Sequence, residues 1–131
     1  MSRKTILIVD DDPYVRQGTR LRLRASGFET LMAADVVTTL SKAERHLPDL
    51  ILLDLGLPGG DGYVVIDKLK ANPSLAGIPI IVVSGRDIRA NQPRAIAAGA
   101  RAFLQKPVDN AEFLSVIRHT LGASTPSAEQ C

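Results

Sequence analysis

The 131-residue chain has a single cysteine, Cys131, and no tryptophan. A lone cysteine excludes a disulfide framework within the chain and any cysteine-rich metal site. Aromatics are scarce: Tyr14, Phe28, Tyr63, Phe103 and Phe113 are the full set, a poor supply for stacking bases or walling a flat cofactor pocket. A dominant charge is missing as well. Lys and Arg total 16 against 14 Asp and Glu, a net +2, which gives no reason to expect direct binding to nucleic acid. No apolar run nears the ~20 residues of a membrane span. The first apolar run lacks the length and cleavage pattern of a signal peptide, so a cytoplasmic protein with no membrane partner is expected.

What remains is the composition of an ordinary folded domain, 45% hydrophobic and 23% charged, in a length that suits one domain rather than two. Five short apolar runs occur, at 5–9, 29–33, 50–53, 78–83 and 102–104. The first, third and fourth are nearly continuous Ile, Leu and Val, the pattern of parallel strands buried on both faces. The segments between them read as helices. Pro13 opens one that stops at Gly27, and Asp35 caps a second that runs to His46 before Pro48. A third spans 62–71. A short fourth spans 91–98, with Pro93 near its start. Asp109 and Glu112 have capping-box spacing for a fifth that ends near Leu121. Five strand–helix alternations predict a doubly wound α/β sheet. Residues 123–131 are small and polar and are expected to form a flexible tail after a domain over 1–122.

In such sheets ligands bind at the carboxyl ends of the strands. Asp10, Asp11 and Asp12 follow the first strand, Asp54 the third, Ser84 the fourth, and Lys106 with Pro107 the fifth. Any single aspartate there is explained by turn-making or helix capping, and Asp12 before Pro13 fits a cap. Several carboxylates converging at one edge repel each other unless a cation or a proton intervenes. A hard divalent ion such as magnesium suits oxygen ligands of this kind. With a lysine and a hydroxyl added, the set suits phosphoryl transfer, where stabilising charge on the phosphoryl oxygens dominates catalysis.

These residues carry a family resemblance. ILIVDDDP at 6–13, LILLDLGLPGGDG at 50–62, IPIIVVSGRD at 78–87 and GARAFLQKPVD at 99–109 together resemble a response-regulator receiver domain of two-component signalling, over roughly residues 4–122. The resemblance implies a (βα)5 flavodoxin-like fold, a five-stranded parallel sheet in the order 2-1-3-4-5. It implies Asp54 as phosphate acceptor and Mg2+ held by Asp10, Asp11, Asp54 and the Gly56 carbonyl. Ser84 and Lys106 would hold the phosphoryl group, and a cis bond would precede Pro107. Ser84 and Phe103 would shift inward as the switch. The implied partners are a sensor histidine kinase or a histidine phosphotransfer protein. A downstream protein target would follow, or a C-terminal output domain if the chain is a fragment. Such a receiver is no conventional enzyme, although it catalyses its own phosphorylation and dephosphorylation.

The residues also leave rivals. A haloacid-dehalogenase-like phosphatase would use Asp10 and Asp12, but then Asp54 has no role. A degenerate receiver that only binds a partner would have lost acceptor-site residues that are all present here. A flavodoxin-like FMN binder would have to place phosphate against three acids. Smaller expectations concern single residues. Arg16, Arg20 and Arg24 read as a solvated basic stripe, and His46 and His119 as surface or boundary residues. Gly56, Gly59 and Gly60 predict a permissive loop. Arg86, two residues beyond Ser84, is expected to affect the lifetime of phospho-Asp54.

Overall fold

The computed structural model describes residues 3–123; the expected tail from residue 124 onward, with Cys131, lies outside the described residues. Seven strands and five helices follow in order: β1 (Thr5–Val9), α1 (Pro13–Ala25), β2 (Glu29–Ala33), α2 (Val36–His46), β3 (Leu50–Leu53), β4 (Gly56–Leu57), β5 (Gly60–Asp61), α3 (Gly62–Ala71), β6 (Ile80–Ser84), α4 (Ile88–Ala98), β7 (Ala102–Gln105) and α5 (Asn110–Ala123). Five strands form one parallel sheet in the order β2-β1-β3-β6-β7. Setting aside the two-residue strands β4 and β5, this is the expected 2-1-3-4-5 order.

The three central strands bury both faces, which explains why they read as continuous apolar runs. Leu7, Val9, Ile51, Leu53, Ile80, Val82 and Phe103 face one core layer, which includes Val65, Ile66 and Leu69 of α3. Ile6, Ile8, Leu50, Leu52, Ile81 and Leu104 face the other, with Leu23 of α1 and Phe113, Ile117 and Leu121 of α5. The strand period of two sorts neighbouring residues into opposite layers. Edge strand β2 buries only Ala33 fully, and its signal is correspondingly weaker.

Three local features differ from expectation. Helix α4 starts at Ile88, three residues early, because Asp87 caps it by accepting from the Arg89 N–H. Pro93 therefore sits inside that helix. The fourth apolar run pairs over 80–84, so Ser84 is the last residue of β6 rather than the first beyond it. The glycine-rich loop after Asp54 is a closed hairpin: Gly56 pairs with Asp61 and Leu57 with Gly60. Pro58 and Gly59 make its turn, and the positive φ of +83° at Gly59 explains the glycine there. The Lys106–Pro107 peptide is cis, as expected.

A cavity of about 500 Å3 lies between α1, α5 and the sheet, walled by Ile8, Leu52, Val83 and Phe113 and opening beside Asp54. Thr19 also lines it and is buried.

Candidate phosphoacceptor site

Sheet register alone brings the acidic residues together. Val9 pairs with Leu53, so Asp10 and Asp54, each the next residue, emerge side by side; the Asp54 N–H donates to the Val9 carbonyl at 2.9 Å. On the other flank Ser84 pairs with Gln105, which puts Lys106 one step beyond Ser84. The Lys106 N–H donates to the Ser84 carbonyl at 2.8 Å. The Lys106 side chain reaches inward, with Nζ 2.8 Å from Asp10 Oδ2 and 3.2 Å from Asp54 Oδ2.

The electrostatics follow from this geometry. Burial pushes the Asp54 carboxyl above its ordinary range, the Lys106 charge pulls it back, and the Asp10 charge adds to the rise. Burial alone would lower the Lys106 ammonium. Its hydrogen bond to Asp10 and the charges of Asp54 and Asp10 outweigh that and lift it above the usual lysine value.

Asp10, Asp11 and Asp54 can each bring one carboxylate oxygen within 4.8 Å of the others. An all-oxygen, carboxylate-rich donor set fits a hard divalent cation such as Mg2+ and offers nothing to a soft metal. Asp12 stands apart from the trio. Its carboxylate accepts from the N–H groups of Tyr14 and Val15 and caps α1. That removes one of the two aspartates a haloacid-dehalogenase-like phosphatase would need.

The other expected residues are placed as follows. Gly56 lies two residues past Asp54 in β4, exposed, and its N–H donates to Asp54 Oδ1 at 3.4 Å. Ser84 is 1% exposed, and its Oγ accepts from the Arg86 N–H at 3.1 Å. Phe103 is buried in the α3 layer of the core. His46 and His119 are exposed.

Two contacts were not visible in the sequence. Arg16, read as part of a solvated stripe, donates through Nη1 to the Asp10 carbonyl at 2.8 Å. Arg86 pairs with Asp61, Nη1 to Oδ2 at 2.9 Å. The helical spacing of the α1 arginines gave no sign of the first, and 25 residues separate the partners of the second.

A doubly wound sheet whose strand ends converge carboxylates and a lysine defines a signalling receiver rather than a conventional enzyme. The comparisons agree: residues 6–118 match the response regulator receiver domain family, and the chain belongs to that family. It is 33% identical over 119 residues to the polar-differentiation response regulator DivK of Brucella anthropi, covering 91% of this chain and 97% of DivK. It is 38% identical over 113 residues to the response regulator PleD of Caulobacter vibrioides, covering 86% of this chain but only 25% of PleD. The receiver domain of the sensor histidine kinase PA1611 from Pseudomonas aeruginosa PAO1 superposes with a TM-score of 0.85 at 28% identity, covering 92% of this chain and 99% of that one. That structure has a magnesium ion coordinated in its active site cleft. Among the described residues no helix is long and apolar enough to cross a membrane.

Proposed function

We propose that Asp54 accepts a phosphoryl group from a phosphohistidine of a sensor histidine kinase or a histidine phosphotransfer protein. The observation that carries this reading is the meeting of Asp10, Asp54 and Lys106 through two short ion pairs, with Asp11 alongside. An ionised Asp54 oxygen attacks phosphorus in line, the phosphorus–nitrogen bond breaks, and the imidazole leaves with the electron pair. Lys106 pairs with the transferred oxygens, and Ser84 donates its hydroxyl to them. Asp10, Asp11, Asp54 and the Gly56 carbonyl are the groups that would hold Mg2+. When bound, that ion supplies positive charge against the phosphoryl oxygens. The Mg2+ coordinated by the PA1611 receiver supports this assignment.

Phosphate on Asp54 then favours one of two packings, with Ser84 and Phe103 as the moving parts. The domain spans 1–122 and acts in the cytoplasm. Its output is either a surface that docks a protein target or an output domain joined to it. Relatives of both lengths support the pair of options: DivK is matched over nearly its whole length, PleD over a quarter.

The test is incubation with Mg2+ and phosphoramidate or acetyl phosphate, followed by intact-mass measurement. The expected result is one added phosphate, lost when the metal is chelated. No gain with either donor would overturn the assignment and favour a partner-binding receiver without phosphotransfer.

A further inference from the structure

The loop after β6 is tied down at three points, all through Arg86. Its N–H donates to Ser84 Oγ at 3.1 Å. Its carbonyl accepts from Gln105 Nε2 at 3.3 Å. Its guanidinium pairs with Asp61 Oδ2 at 2.9 Å and reaches the Leu55 carbonyl at 3.5 Å. Asp61 is itself fixed, since its other oxygen caps α3 by accepting from the Tyr63 N–H at 3.1 Å. The ion pair thus fastens the segment that follows Asp54 to the segment that follows Ser84.

The consequence concerns the Ser84 hydroxyl. A serine oxygen can accept and donate. Here the acceptor side is taken by the Arg86 N–H, which leaves the O–H to donate, and a donor is what an anionic phosphoryl oxygen requires. We propose that Arg86 and Asp61 form a positioning pair that holds Ser84 as a pre-oriented donor toward the phosphoryl group. Arg86 acts through Ser84 and not by touching phosphate. This rests on the reading of Asp54 as phosphate acceptor. Preorganised donors bind more tightly than groups that must be ordered on arrival, so loosening the pair weakens binding of the phosphoryl group.

The test compares wild type, Arg86→Ala, Asp61→Asn and Ser84→Ala, with Arg86→Ala also made on the Ser84→Ala background. Asparagine still caps a helix, so Asp61→Asn removes the charge pair and keeps α3. Affinity for beryllofluoride, a phosphoryl mimic, and the rate of uptake from phosphoramidate are measured with Mg2+. Arg86→Ala and Asp61→Asn should each weaken beryllofluoride binding about three- to tenfold, the scale of one hydrogen bond. Arg86→Ala should add nothing once Ser84 is alanine. An unchanged or tighter affinity overturns the proposal, as does an Arg86 effect that persists without Ser84, because Arg86 would then contact the phosphoryl group itself. Amide exchange of the Arg86 N–H, followed by NMR without any donor, is the second readout. Asp61→Asn should speed it, and unchanged protection overturns the pairing even if wild type takes up no phosphate. Failure of wild type to bind beryllofluoride or take up phosphate would instead count against Asp54 as acceptor.

Discussion

Asp54→Asn should abolish phosphate uptake and, with metal chelated, make the protein harder to melt. The first effect is chemical: an amide offers no ionised oxygen to attack phosphorus. The second follows from the site's electrostatics. Burial raises the Asp54 carboxyl above its ordinary range, with the Asp10 charge adding to it and Lys106 opposing. A carboxyl whose folded pKa exceeds its unfolded pKa contributes stability fully below the unfolded value and loses that contribution as pH rises through the folded value. At neutral pH the ionised form therefore destabilises the metal-free fold. Asparagine has nearly the same shape without the charge, and Lys106 keeps its 2.8 Å partner Asp10. Intact mass after incubation with phosphoramidate checks the uptake, and a melt in chelator checks the stability. Uptake that survives would move the acceptor role to another residue. A lowered melting temperature would show that the Asp54–Lys106 pair outweighs the burial.

Gly62→Ala should be severe although the residue carries no chemistry. Gly62 opens α3 directly against the Asp54–Leu55 segment that follows β3, with its N–H 2.7 Å from the Leu55 carbonyl. A Cβ there would lie 2.7 Å from Leu55 Cα and 2.8 Å from the Asp54 carbonyl oxygen. Both are backbone atoms, so relief requires moving the segment that holds Asp54. We expect a loss of about 3 kcal/mol in denaturant unfolding, with phosphate uptake impaired in whatever fraction still folds. Gly18→Ala is the contrast. It sits inside α1 with nothing within 4 Å of the added atom, and should gain about 0.5–1 kcal/mol from helix propensity. Equal behaviour of the two variants would refute the steric account.

The contrast between these two glycines also marks what the sequence reveals. Strand identity and the convergence of Asp10, Asp54, Ser84 and Lys106 at one edge were legible, because parallel strands buried on both faces write continuous apolar runs and the polar residue after each run marks its end. Caps such as Asp12 and Asp35 were legible for a similar local reason. The division of labour among three consecutive aspartates was only half visible. Proline after Asp12 hinted at the cap, while the trio of Asp10, Asp11 and Asp54 depends on register between strands more than 40 residues apart. The β4–β5 hairpin was hidden because its pairing involves two residues on each side. Arg16 and Arg86 were hidden because a long side chain's destination is tertiary: helical spacing made Arg16 look solvated, when its guanidinium holds the Asp10 carbonyl. The start of α4 was misplaced because Pro93 suggests a first turn, whereas Asp87 supplies the cap.

That proline sets how α4 comes apart. Pro93 has no N–H to give the Arg89 carbonyl, so the opening turn lacks one rung of its own ladder. The turn is held from within by Asp87, whose carboxylate and carbonyl accept from Arg89 and Asn91, and from outside by Tyr63. The Tyr63 hydroxyl donates to Asn91 Oδ1 at 2.9 Å, and the Arg94 guanidinium stacks on the Tyr63 ring at 3.7 Å. Tyr63 is the second residue of α3, two residues after the Asp61 cap. The first turns of α3 and α4 are therefore joined through Tyr63, and what loosens one removes contacts from the other. A change at the head of α3 would reach α4 as a loss of local order at its N-terminal turn, ahead of any rigid displacement of the helix.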